Sequence, residues 1–138
     1  MSAAVLFISF HVLGLRCRVS IEHTEKEGGI QLVYRISIYI PESHVEVVKE
    51  AMFAVGAGRY QNYDCCSWQT RGTGQFRALK GSNPFIGEEM VLETVAEYKV
   101  EMVCEQQYLK EVIETLILTH PYEEPAYEIY EFKTMADL

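Results

Sequence analysis

The sequence holds few of the residues that build ready-made sites. It has a single tryptophan and four prolines in 138 residues, and none of its four histidines has a second histidine close by. The four cysteines, Cys17, Cys65, Cys66 and Cys104, show no C-x-x-C spacing. Cys65 and Cys66 are neighbours on an expected strand, so their side chains leave on opposite faces and do not easily hold one ion together. All four read as reduced thiols of a cytoplasmic protein. Bases are scarce as well: 12 Lys and Arg stand against 20 Asp and Glu, a formal net charge of -8. An acidic surface repels phosphate backbones, so nucleic acid is not an expected partner. A long hydrophobic run is also missing. The apolar stretch Ala3 to Leu15 is too short to span a bilayer as a helix, and it lacks the positive start and small-residue cleavage site of a secretory signal. No membrane is expected as a partner.

What remains is one domain of ordinary size with 49% hydrophobic residues. Residues 1–31 turn polar from Ser20 and end near Gly28-Gly29; they read as an N-terminal extension, either disordered or a non-native start. Residues 32–133 form the expected folded unit, and 134–138 a tail. Within it, Tyr34, Ile36, Ile38 and Ile40 alternate with polar neighbours as a strand with one covered face. Val45, Val48, Met52 and Val55 form a helical stripe that ends at Gly56 and Gly58. Tyr63 to Thr70 reads as a second strand, and residues 71 to 92 as a long glycine-rich connection. From Thr94, Ala96, Tyr98, Val100, Met102 and Cys104 alternate again. A second helix carries Leu109, Val112, Ile113, Leu116 and Ile117 on one face, and Ala126 to Phe132 is a last strand. Strand, helix, strand, strand, helix, strand predicts an α+β fold: a ferredoxin-like βαββαβ sandwich, with two helices on one face of an antiparallel sheet. The other face has no cover within the chain. Tyr39, Trp68, Tyr127 and Ile129 would make it apolar, and association through it follows.

Two stretches are candidates for chemistry. His120-Pro121-Tyr122-Glu123-Glu124-Pro125 stops the second helix and fixes a turn. A protonated His120 there would meet the negative end of the helix dipole. The same stretch is also a plain helix terminator. His120, Glu123 and Glu124 can be read as ligands of a divalent metal ion, the one cofactor the sequence suggests, although a closed site wants three or four ligands. The connection 71–87 contains Arg71, Arg77 and Lys80 and no acid, with Gly72, Gly74 and Gly81 to let backbone donors approach. It matches no phosphate-loop motif. A small anionic ligand held by Arg71, Gly72, Gly74, Arg77 and Lys80, walled by Trp68 and Phe76, and selected by Tyr122 and Glu123, is the binding reading; a long hairpin whose cations pair with neighbouring acids is the other. No serine or cysteine has a histidine at a recognisable catalytic spacing, so no catalytic residue is assigned.

Four segments together resemble a known family. Gly56-Ala-Gly-Arg-Tyr-Gln-Asn-Tyr-Asp-Cys-Cys-Ser-Trp68, Gly72-Thr-Gly-Gln-Phe-Arg77, Gly81-Ser-Asn-Pro-Phe-Ile-Gly87 and His120-Pro-Tyr-Glu-Glu-Pro-Ala-Tyr127 resemble the inserted domain of the Nif-three-like, or YqfO-type, proteins, which also occurs as a short protein by itself. Ala78 stands where the pattern has proline. The resemblance implies a PII/CutA-like fold and a homotrimer. It implies no metal-dependent hydrolase activity, because the two-metal site of full-length members belongs to their flanking lobes. The expectation is a non-enzymatic oligomeric binding or regulatory module. The alternatives are a divalent metal-ion binding protein of CutA-like type and an enzyme with a site at the subunit interface.

Overall fold

Ile36, Ile38 and Ile40 have no exposed surface, while Arg35, on the other face of the same strand, is exposed. In the computed structural model, which describes residues 32–134, this alternation becomes β1 (Val33–Pro41), one of the two inner strands of a four-stranded sheet. The expected extension 1–31, with Cys17, lies outside the described residues. After a single 3₁₀ turn, α1 (Val45–Ala54) buries Val45, Val48 and Met52, and Gly56 and Gly58 leave the helix with positive φ. Then follow β2 (Ser67–Arg77), β3 (Leu92–Glu105), α2 (Gln106–Thr119) and β4 (Tyr127–Phe132). The strand order is β2-β3-β1-β4 and every pairing is antiparallel. This is the ferredoxin-like sandwich that the periodicity predicts.

Register fixes the two faces, because directly paired residues share one. Ile36 faces Met102 and Ile38 faces Val100. These four, with Ile40 and Cys104, meet Val45, Val48 and Met52 of α1 and Val112 and Leu116 of α2 in one cluster of fully or nearly fully buried side chains. Each such aliphatic side chain contributes about 1.5–3 kcal/mol by leaving water. In α2, Leu109 and Ile113 pack against this cluster as the spacing predicts, but Ile117, placed on the buried face by the same spacing, is 46% exposed. It falls at the margin of a stripe whose centre is Val112 and Leu116.

Two further expectations are corrected. Residues 71–77 are not a connection but the second half of β2, paired with β3 from Arg71↔Tyr98 to Arg77↔Leu92. Both sides of this half-strand are largely in solvent, so it carries no hydrophobic alternation; the backbone ladder alone makes it a strand. The β2–β3 hairpin consequently runs five residue pairs past Pro41↔Glu97, where β1 ends. The expected apolar quartet on the open face is also divided. Tyr127 and Ile129 pair with Ile38 and Ile36 and so lie on the helix side, at the sheet edge. Tyr39 and Trp68 do lie on the open face, opposite Lys99 and Glu101. That face is polar at its centre. Buried Ser37 donates to Glu101 Oε1 at 3.2 Å, Lys99 Nζ lies 3.4 Å from the same oxygen, and the Tyr130 hydroxyl donates to Glu128 at 3.0 Å. Among the described residues no helix is long and apolar enough to cross a membrane.

Candidate functional site

The site is built where β4 stops short. β4 pairs with β1 only as far as Ile38↔Tyr127, which leaves the last residues of β1 without a ladder on that edge. The turn after α2 supplies the missing partners. The Ala126 carbonyl accepts from the Tyr39 N–H at 3.3 Å, and His120 Nε2 lies 3.0 Å from the Tyr39 carbonyl. His120 Nδ1 accepts from the Tyr122 N–H at 3.1 Å, which leaves Nε2 as the protonated nitrogen and donor to Tyr39. The ring therefore stands in for a strand, buried and neutral. Burial pushes its pKa below the usual 6.5, the bond to Tyr39 works against that, and nearby His44 adds to it. The cationic His120 expected against the helix dipole is not what this geometry holds, and neither ring nitrogen is free for a metal.

Tyr122 is carried by this turn to the opposite strand. Its ring packs edge-on against His120 at 4.9 Å between centroids, and against Phe76 and Phe85 at 6.2 and 6.3 Å. Phe85 in turn meets His44 at 5.3 Å, edge to face. These are the spacings at which aromatic rings attract. The Tyr122 hydroxyl donates to Glu97 Oε1 at 2.8 Å; burial first, and then this bond, hold the phenol pKa far above the tyrosine range. Gly74 makes the arrangement possible, since a Cβ there would run into the Glu97 carboxylate. The connection 78–91 closes the junction: the Asn83 N–H donates to Glu123 Oε2 at 2.9 Å, and Ala78 is buried beneath it with its carbonyl accepting from Met90 N–H at 2.7 Å.

Of the residues expected at a ligand site, the fold brings Gly74, Phe76, Tyr122 and Glu123 together. It does not bring in Trp68. Eight residues separate Trp68 from Phe76 on one strand, about 26 Å, so the two cannot wall one pocket in a single chain. Gly72 faces open space. Arg71 sits 3.4 Å from Glu42 at the start of the α1 segment, both side chains exposed, a pair worth little in water. Arg77 ends β2 and Lys80 lies just beyond it. His120, Glu123 and Glu124 are not assembled as ligands: among the described residues no group of three or more His, Cys, Asp or Glu is placed to hold a metal ion. Sequence reasoning did not single out Glu97, Asn83, Phe85 or His44. Asn83 and Phe85 stand inside the Gly81–Gly87 motif, but Glu97 looks like any outward residue of a strand.

No family model matches the sequence. The chain is 40% identical over 98 residues to a GTP cyclohydrolase 1 type 2 homolog of Halalkalibacterium halodurans, 71% of this chain but 26% of the relative. It thus spans about a quarter of the length of that relative. Among solved structures it resembles a Bacillus cereus protein related to NIF3, with TM-score 0.65 and 30% identity, over 75% of this chain and 26% of that one. It also resembles CutA from Xylella fastidiosa, with TM-score 0.54 and 17% identity, over 74% of this chain and 85% of that one. The second likeness is one of fold. The chain therefore carries a domain of the Nif-three-like, YqfO-type proteins, and that domain has the CutA-like sandwich.

Proposed function

We propose that residues 32–133 form a non-enzymatic, oligomeric binding or regulatory module, and that its small anionic ligand sits where the connection 78–91 meets the His120 turn. The observation that carries this is the joining of two motif segments 40 residues apart, by Asn83 N–H to Glu123 and by Phe85 to Tyr122. At this closure the Phe85 ring stays half exposed. Arg77 and Lys80, next in sequence to Phe76 and Gly81, form no ion pair among the described residues, in a chain with net charge -8. Unpaired cations favour an anion, while the Gly81 N–H beside Lys80 already donates to Glu89 Oε1 at 2.9 Å. The name of the Halalkalibacterium relative puts guanine nucleotides among the anions to try. A catalytic role has less support, because His120 is bonded through both ring nitrogens and His44, the other histidine at the junction, has its Nδ1 2.8 Å from the Ser43 hydroxyl.

The test is a thermal-shift screen of nucleotides and organic acids. At one hundred times its dissociation constant a ligand stabilises the fold by about 2.7 kcal/mol. The shift should vanish in Arg77→Ala with Lys80→Ala and shrink in Phe85→Ala. A screen without hits, or a hit equal in all three proteins, removes the reading. A chain lacking residues 1–31 should respond like the full chain; loss of the response there would extend the unit beyond 32–133.

A further inference from the structure

Strand alternation places Cys65 and Cys66 on opposite faces, but the fold does not put Cys65 on a strand. β2 begins at Ser67, and Cys65 takes a left-handed backbone conformation with φ 52°. A left-handed residue breaks the two-residue repeat that would send neighbouring side chains apart. Cys66 is pinned from behind. Its N–H donates to the Gly58 carbonyl at 2.8 Å, and the Gly58 N–H donates to Val103 of β3 at 2.7 Å. A Cβ at position 58 would come within 2.9 Å of the Cys66 backbone nitrogen and oxygen, so glycine is what admits this contact. Cys65 is exposed, Cys66 is partly so, and both are free thiols. Buried Cys104 differs: desolvation first, and Glu105 beside it, push its thiol up to about 11, which makes it inert.

We propose that Cys65 and Cys66 form a vicinal dithiol site for a thiophilic trivalent metalloid, with arsenic(III) as the probe. Two Cα atoms joined by one trans peptide lie about 3.8 Å apart, closer than the roughly 4.4–6.8 Å that an unstrained disulfide spans. A direct S–S bond is thus strained, and one large atom inserted between the sulfurs relieves it. Zinc is disfavoured because it wants four ligands, and among the described residues no third His, Cys, Asp or Glu joins the pair. With phenylarsine oxide two As–S bonds form and the As–O bond breaks. The two thiol protons leave with that oxygen as water, arsenic stays trivalent, and no oxidant is consumed.

The test uses the full chain with phenylarsine oxide in excess monothiol, which strips singly held arsenic, followed by dithiothreitol. Wild type should keep one phenylarsenic group per chain by intact mass until dithiothreitol is added, and Trp68, two residues on, should change its fluorescence in step. Cys65→Ser and Cys66→Ser should each lose monothiol-resistant capture, while Cys17→Ser and Cys104→Ser keep it. Because Cys65 is exposed, its variant decides the matter if Cys66→Ser does not fold. Capture that survives in Cys65→Ser, that is lost in Cys17→Ser, or that never resists monothiol overturns the proposal.

Discussion

The Tyr122 hydroxyl donates to Glu97 at 2.8 Å, and it can do so because residue 74, on the neighbouring strand, has no side chain. One hydrogen bond thereby ties the turn after α2 to the hairpin that projects beyond the sheet.

Gly74→Ala should therefore be costly. Its Cβ would lie 2.6 Å from the Glu97 Cδ, forcing the carboxylate away from Tyr122. Destabilisation of about 1–3 kcal/mol is expected in denaturant titration. Gly72→Ala, two residues away with nothing within 4 Å, should be neutral or stabilising by up to about 1 kcal/mol. Pairing Gly74→Ala with Glu97→Ala should cost less than the sum of the two, as contacting residues do. Equal effects at 72 and 74 would show that backbone freedom matters here and the Glu97 contact does not.

The pH dependence follows from His120. Its pKa in the folded chain lies below the usual 6.5, so between the two values the unfolded chain binds more protons. Stability is then full above about pH 6.5 and falls as the pH drops below it, until the lower folded pKa is passed. His120→Gln should be less stable at neutral pH by about 1–3 kcal/mol, since the part-buried Tyr39 carbonyl loses its imidazole donor, and should show a shallower loss toward about pH 5. Parallel pH profiles for the two proteins would contradict the neutral, doubly bonded ring.

Leu116 and Leu118 are two residues apart on α2 and should behave oppositely. Leu116 has no exposed surface and Leu118 is 84% exposed. Leu116→Ala should cost about 2–5 kcal/mol and Leu118→Ala less than about 0.5. Urea midpoints measure both, and a large loss at Leu118 would mean that something covers it in solution.

The proposed homotrimer is tested by light scattering on a sizing column, where three times the 15.8 kDa chain mass is expected. Trp68, 62% exposed on the open sheet face, is the anchor to change. Trp68→Asp should shift the mass toward the monomer without loss of secondary structure by circular dichroism. A wild-type monomer at micromolar concentration would remove the oligomeric part of the reading.

How much of this was legible in the sequence depends on what leaves a period behind. β1, β3 and both helices each have one covered side, and Ile36, Val100, Val48 and Leu116 mark it at intervals of two or of three to four. The distal half of β2 has no covered side, so Arg71, Gly72 and Gly74 look like a loop although they are a strand. The same misreading lets Trp68 and Phe76 seem able to share a pocket. The turn at His120 is plain from Pro121 and Pro125, but the role of its ring is not, because Tyr39 lies 81 residues away. Motifs locate the candidate segments; Glu97 becomes visible only once β3 is set beside the turn.

The position of β1 in the sheet has a consequence for biosynthesis. Of the four described strands it is the first to be made, yet it is an inner one, and both of its neighbours come later: Val33 pairs with Glu105 on one side and Phe132 on the other. A nascent chain translated as far as residue 91 holds Ile36, Ile38 and Ile40 in a segment whose described partners, β3 and β4, are not yet made. Pairings so distant along the chain close slowly, and exposed strand edges invite association with other chains. Aggregation during translation, more than fragility of the finished sheet, is the hazard this topology carries.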